Sequence, residues 1–412
     1  MLNYEQFFST NAKGMKKSEI RELLKLTQKP GIISFAGGLP APDLFPVKEI
    51  TDVTNFVLET SGKLALQYGP TEGNTTLREE LLRLLQKEGI ALNIDQLIVI
   101  TSSQQGLDLV GKVFLNPGDI VLCGKPTYVG AIQAFNSYGG ILHGVPLDEQ
   151  GISTIALEQE IKRLGDKCTQ AKFIYTIPDF QNPSGITLTL KRRQELIALA
   201  EKYDLLIIED SPYRQLRFGG DAPPPLISMN SDRVLALYTF SKILLPGFRL
   251  GWMAGPTELI QKMAVAKQAV DLCAPPFNQA ILAEFMKRGL LEKQIEIIIK
   301  AYREKRDYML AQLDKHLGDT PGVTWTKPQG GLFLWVTLPE HFNSSEMFID
   351  AVEKKVAYVM GSSFDPDGLD KRSLRLNFSY ASMEEIAIGI ERLAEVIKAR
   401  LSGKKIDSPD TP

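Results

Sequence analysis

Histidine is almost missing from this chain. There are three in 412 residues, His143, His316 and His341. They form no ligand spacing, so a zinc centre or a Ser-His hydrolase has almost no material to work with. Cysteine is equally sparse, and Cys123, Cys168 and Cys273 are scattered and odd in number, so neither a disulfide framework nor a thiolate metal site follows. An excess of one charge is lacking too: 47 Lys plus Arg face 49 Asp plus Glu, leaving a net charge of -2. That balance advertises neither nucleic acid nor an anionic membrane. No apolar run approaches the ~18 residues that a membrane span needs. The opening Met1-Leu2-Asn3-Tyr4-Glu5 has no basic stretch followed by an apolar core. The expectation is a cytoplasmic protein without membrane or nucleic-acid partners.

What is present reads as an α/β chain. Its length suggests two or three domains at the usual ~150 residues each, and the 44% hydrophobic content is ordinary for a buried core. Apolar strand candidates at 97–100, 120–122, 173–176, 205–208, 234–237 and 251–254 mostly alternate with helical stretches such as 104–113 and 191–203. That alternation predicts a mainly parallel sheet with a ligand crevice at the carboxyl ends of its strands. A long helical pattern from about 281 to 316 leads to strands within 325–339 and 373–380 and a closing helix over 383–401. The tail from 402 to 412 is polar with two prolines and is expected to be mobile and dispensable.

Two motif matches fail on inspection. The run Gly106-Leu107-Asp108-Leu109-Val110-Gly111-Lys112-Val113 approaches a phosphate-loop pattern, but Val113 replaces the metal-binding hydroxyl and the segment reads as a helix interior. Asn74-Thr75-Thr76 and Asn343-Ser344-Ser345 fit glycosylation acceptors without an export signal and read as polar surface.

Three separated segments carry chemistry. In Thr239-Phe240-Ser241-Lys242, an amine sits beside small hydroxyl residues, and Arg249 follows seven positions on, before Leu250-Gly251-Trp252. A lysine that forms a Schiff base must be partly desolvated, and a neighbouring phosphate needs hydroxyl donors and a permanent cation. In Ile207-Ile208-Glu209-Asp210-Ser211-Pro212-Tyr213, Asp210 ends a short apolar strand, where a carboxylate can keep a pyridine nitrogen protonated. Tyr213 can reach the same ring's phenolic oxygen. In Pro178-Asp179-Phe180-Gln181-Asn182-Pro183-Ser184-Gly185, Asn182 lies on a loop beyond another strand end, and its amide can donate to that oxygen.

With these motifs in this order, the chain resembles the fold-type-I pyridoxal-phosphate aminotransferases of class I/II, in particular the 2-aminoadipate and kynurenine aminotransferase-like branch. The likeness runs from about residue 18 to about residue 397. It implies pyridoxal 5'-phosphate as cofactor and a large domain, 48–285, with a mainly parallel seven-stranded sheet between helices. A smaller α/β domain, 286–401, would be joined by the N-terminal segment 1–47, which carries a substrate-covering helix. The resemblance makes Lys242 the covalent anchor and proton carrier, Asp210 the ring-nitrogen partner, and Asn182 and Tyr213 the contacts of the ring oxygen. Thr239, Ser241 and Arg249 would hold the phosphate, with Ser103 and Gln104 at the start of a helix that follows a strand. Where the family often has Gly, this chain has Ser102. Tyr128 matches the aromatic that stacks on the ring. Tyr68 matches a residue that reaches the phosphate of a neighbouring subunit, which implies a homodimer.

Arg375 alternates with apolar residues in Ser373-Leu374-Arg375-Leu376-Asn377, and a cation facing an apolar interior needs an anionic partner. In the family that partner is the substrate's α-carboxylate. Gly37 and Gly38 permit close backbone approach to a bound amino acid. Ser18 and Arg21, three apart on one helical face, match a segment that covers the substrate in aminoadipate-type enzymes, and Arg21 can pair there with a distal carboxylate. The expected reaction is ping-pong transamination between amino acids and 2-oxo acids, with 2-oxoglutarate as acceptor and 2-aminoadipate, aromatic or other amino acids as donors. Three rivals use parts of the same sequence. β-Elimination or decarboxylation would share the anchors. A transcription regulator with an aminotransferase-like domain would place a helix-turn-helix ahead of it, and fewer than 20 residues precede Ser18. A nicotinamide oxidoreductase lacks its glycine fingerprint here.

Overall fold

The structure is a computed structural model that describes residues 2–14 and 31–403. Ser18, Arg21 and residues 404–412 lie outside the described residues. After the short strand β1 (Ile33–Ser34), the chain builds an eight-stranded sheet from β2 (Leu97–Ile100), β3 (Ile120–Lys125), β4 (Ile141–Asp148), β5 (Gly151–Ile152), β6 (Ala171–Thr176), β7 (Leu206–Asp210), β8 (Val234–Thr239) and β9 (Gly251–Ala254). Their order is β2-β9-β8-β7-β6-β3-β4-β5. Adjacent pairs from β8 through β4 are parallel, whereas β9 runs antiparallel to both β8 and β2. Seven strands match the expected sheet. The eighth, β5, is a two-residue return that pairs antiparallel with the end of β4.

Helices cover the sheet, so its strands read as unbroken apolar runs rather than as alternation. Every residue of β2, β8 and β9 is buried. Among the crossing helices, Ser102–Phe114 turns Leu107 and Val110 to the sheet, and the phosphate-loop lookalike is indeed its interior. Leu190–Lys202 starts on Thr189, whose side chain accepts from Arg192 N. The two Asn-containing triplets are also helix caps: Asn74 accepts from Leu77 N, and Asn343 from Ser345 N and Glu346 N.

The helical pattern expected over 281–316 is two helices, Pro276–Lys287 and Leu290–Leu317. Gly289 separates them with φ 66°, a left-handed turn that glycine enters without a Cβ penalty. Beyond the second helix lies a four-stranded antiparallel sheet, in which β10 (Thr324–Trp325), β11 (Phe333–Thr337), β13 (Val359–Met360) and β14 (Ser373–Asn377) take the order β10-β11-β14-β13. The strand expected over 325–339 is thus interrupted, because Pro328-Gln329-Gly330-Gly331 forms a loop between β10 and β11. The intervening β12 (Val356–Ala357) pairs in parallel with β1, tying the N-terminal segment to the C-terminal third of the chain. The closing helix Met383–Leu401 opens on a capping box of Ser382 and Glu385.

Because β2, β3, β6, β7 and β8 all point the same way, their carboxyl ends deliver Thr101, Lys125, Thr176, Asp210 and Thr239 to one edge of the large sheet. β14 carries Arg375 toward that edge from the smaller sheet: its guanidinium bonds to Asn182, on the loop that follows β6.

Candidate active site

Asp210 ends β7 with 2% of its surface exposed. Its Oδ2 accepts a 2.8 Å hydrogen bond from the Tyr175 hydroxyl, while its Oδ1 is buried and has no partner. Burial drives this carboxyl up to about pKa 7, against the pull of the Tyr175 hydrogen bond. A buried carboxylate oxygen without a donor is costly unless a ligand supplies one.

Lys242 follows β8. Its Nζ donates to the carbonyl oxygen of Gly38 at 2.8 Å. Burial first, then the guanidinium charges of Arg375 and Arg249, push its pKa down to about 8. The amine is therefore neutral for about a tenth of the time at pH 7, far more than an ordinary lysine, and a neutral amine is what nucleophilic attack on an aldehyde requires. Thr239 and Ser241 are buried beside it, with Thr239 Oγ1 donating to Ser241 Oγ at 2.9 Å. Arg249 is exposed, has left-handed φ of 52° and donates to Pro246 O at 3.3 Å.

The helix that begins at Ser102 starts without a side-chain cap: the Thr101 hydroxyl turns instead to Asp271 Oδ2, at 2.9 Å. Ser102 itself takes φ 68°, the left-handed region that a glycine would enter freely, so this chain follows a glycine-like path with a serine. Gly251 lies close against it, and a Cβ there would sit 2.4 Å from Tyr238 O and 3.2 Å from Ser102 C. Ser103 and Gln104 occupy the first turn. Gln104 accepts from the Tyr128 hydroxyl at 3.3 Å and donates to Gly130 O at 3.1 Å.

Arg375 is 6% exposed. Its Nη1 donates to Asn182 Oδ1 at 2.8 Å and its Nη2 to Ala36 O at 2.6 Å, while its Nε is buried and unpaired. No carboxylate among the described residues forms an ion pair with it; its guanidinium instead stacks 4.1 Å from the Phe333 ring and 4.9 Å from Phe364. Burial lowers its pKa to about 10. Asn182 spends its amide Nδ2 on the Tyr213 hydroxyl at 3.3 Å, and burial pushes that phenol above its ordinary pKa. Gly38 packs near Phe333, where a Cβ would touch Cζ at 3.4 Å, and Gly37 precedes it beside Leu39.

The contacts and charges link Asp210, Tyr213, Asn182, Arg375, Lys242 and Arg249 into one continuous polar region. Tyr68 is 78% exposed in the single chain, and its backbone N–H donates to Gln67 Oε1 at 2.9 Å. Sequence reasoning missed Tyr175 and the aromatic bed of Phe333 and Phe364. Tyr175 lies inside an apolar strand, where a tyrosine reads as core, and only the register of β6 against β7 brings its hydroxyl to Asp210.

The family profile of "Aminotransferase class I and II" matches residues 38–393, and the chain belongs to that family. It is 46% identical over 402 residues to the Aromatic-amino-acid aminotransferase 1 of Thermococcus litoralis, covering 97% of this chain and 96% of the relative. Its structure matches the crystal structure of a multiple substrate aminotransferase from Thermococcus profundus with a TM-score of 0.93 and 45% identity, over 98% of this chain and 100% of that one. The α-aminoadipate aminotransferase LysN of Thermus thermophilus, complexed with N-(5'-phosphopyridoxyl)-L-leucine, matches with a TM-score of 0.89 and 38% identity over 97% and 100% of the two chains. The chain is accordingly a pyridoxal-phosphate-dependent aminotransferase with the fold-type-I architecture. Its residues fit that cofactor, since the orphaned Oδ1 of Asp210 matches a protonated ring nitrogen and the lowered pKa of Lys242 matches an aldehyde.

Proposed function

We propose that this enzyme transfers the amino group of a broad set of amino acids, aromatic and 2-aminoadipate-like donors among them, to 2-oxoglutarate by ping-pong exchange. The observation that carries the assignment of its site is the unpaired, buried Oδ1 of Asp210. When bound, pyridoxal phosphate supplies an aldehyde that condenses with amines and a cationic ring that accepts the electron pair left at Cα.

Around it, each side chain has a task. Asp210 would keep a proton on the ring nitrogen through Oδ1. Asn182 Nδ2 and the Tyr213 hydroxyl would hold the phenolic oxygen, and Tyr128 would stack on the ring. Thr239, Ser241, Ser103, Gln104 and Arg249 would hold the phosphate with hydroxyls, helix N–H groups and a fixed cation. Lys242 would anchor the cofactor through Nζ and, once freed by the incoming amine, would take the α-proton on the neutral Nζ and pass it to the cofactor's carbon. Arg375 turns its unpaired Nε to the substrate α-carboxylate, with Gly37 and Gly38 letting the backbone close on the amino acid. Ser18 and Arg21 meet a distal carboxylate. Tyr68 reaches the phosphate of the partner in a homodimer, and its 78% exposure in one chain supports that reading. No helix among the described residues is long and apolar enough to cross a membrane, and the same proposal puts the enzyme in the cytoplasm.

Half-reaction spectroscopy tests the reading. Holoenzyme mixed with glutamate alone should convert to the aminated cofactor, whereas a lyase or decarboxylase would release ammonia or carbon dioxide instead. Lys242→Ala should slow that conversion by at least about a thousandfold; a variant that still converts glutamate at the parent rate would remove Lys242 from its role.

A further inference from the structure

We infer that Tyr175 is a positioning residue for this reaction: by donating its hydroxyl to Oδ2, it holds the Asp210 carboxylate ionised and leaves Oδ1 for the cofactor's ring nitrogen. The inference rests on the assignment of Asp210 to that nitrogen. It stands first on geometry. β6 and β7 are parallel neighbours in which Tyr175 pairs with Ile208, two residues before Asp210. The phenol ring is fully buried and meets Phe135 edge-on, with centroids 5.6 Å apart and planes at 76°. Phenylalanine would fill this space equally well, so packing explains the ring but not the hydroxyl. Among the described residues the hydroxyl makes the single side-chain hydrogen bond to Asp210, at 2.8 Å.

The other charged and titratable groups nearby do not replace it. Glu209, next in the strand, is directed elsewhere and accepts from Leu226 N at 3.2 Å and Ile227 N at 2.9 Å. Tyr213, on the loop after β7, receives its hydrogen bond from Asn182. Tyr128, before the helix that follows β3, donates to Gln104. Burial drives the Asp210 carboxyl upward, and the Tyr175 hydrogen bond is the one influence that opposes it. Burial, with the charge of Asp210 behind it, pushes the Tyr175 phenol well above its ordinary range, so it remains a donor throughout the working pH.

Loss of this donor favours the protonated carboxyl. Activity that depends on ionised Asp210 then disappears from a higher pH downward than in the parent. The test compares Tyr175→Phe and Asp210→Asn with the parent, measuring the pH profile of kcat/KM on holoenzyme and the cofactor dissociation constant by equilibrium dialysis. Tyr175→Phe should move the acid limb up by about one pH unit and weaken cofactor binding about tenfold, as expected for one hydrogen bond to a buried charge. A uniform drop in rate with an unmoved acid limb, or parental values in both measurements, overturns the inference while an impaired Asp210→Asn leaves the ring-nitrogen assignment standing. A harmless Asp210→Asn removes that assignment and the inference with it.

Discussion

Asp179 and Asp210 are both buried carboxylates on the edge of the large sheet where the site lies, but their surroundings are opposite. Asp179 accepts from three arginines: Arg193 Nη2 and Arg217 Nη2 at 2.9 Å each on Oδ1, and Arg214 Nη1 at 3.0 Å on Oδ2. Those arginines are matched in turn. Arg193 also donates to Leu188 O, Pro224 O and Pro178 O, Arg214 Nε to Glu88 at 2.7 Å, and Arg217 stacks 4.6 Å from Phe180. Around Asp210 and Arg375, by contrast, one carboxylate oxygen and one guanidinium nitrogen are buried and unmatched. The same two loops serve both regions, since Asn182 follows Asp179 by three residues and Tyr213 directly precedes Arg214. A buried charge with every partner in the chain acts as scaffold, whereas one lacking a partner is prepared for something the chain does not contain. In this molecule the satisfied cluster holds the loops on which the unsatisfied one rides.

Substitutions can break this contrast. The largest effect should come from Asp179→Ala, which leaves three arginines without their shared carboxylate; denaturant titration of the apoprotein should show a loss of about 3–5 kcal/mol. Asp210→Asn retains an acceptor for Tyr175 and should change the same titration by less than about 1 kcal/mol. Equal losses in the two would erase the distinction between scaffold and site. A smaller effect belongs to Arg375→Lys, which keeps the charge but not the planar fork: KM for the amino acid should rise about 10–100-fold in steady-state assays, with little change in folding stability. An unchanged KM would mean that the free Nε does not meet the substrate.

The mildest expectation concerns pH. With its pKa lowered to about 8, the Lys242 amine gains its neutral form as pH rises through that value. Capture of pyridoxal phosphate by the apoprotein, followed by absorbance, should therefore quicken about tenfold between pH 7 and 9 and then level off. A profile that climbs without a plateau toward pH 10.5 would show an ordinary, solvated lysine.

Lys242, Asp210 and Asn182 were legible because each stands in a short run whose residue types make sense together: hydroxyls beside an amine, a carboxylate at a strand end, an amide in a turn. Arg375 was legible from alternation, a charge out of place on an apolar face. Tyr175 was not, since its ring satisfies the pattern of β6 and its hydroxyl finds Asp210 only through pairing with a strand 35 residues away in its hydrogen bond. The three-arginine cluster was hidden for the same reason: Arg193 looks like helix surface in Leu190–Lys202, yet it is fully buried beneath the loop of Asp179. Gly289, one residue in a long helical pattern, escaped notice as the break between two helices.

Local chemistry written along the chain thus determined which residue types can do the reaction and in what order the strands and loops present them. The tertiary structure decided which buried polar atoms are matched and which are left over. That decision cannot be made locally, because the partners of Asp210 and Arg375 arrive from another strand or loop, and burial raises the cost of a missing one only after the whole chain has packed.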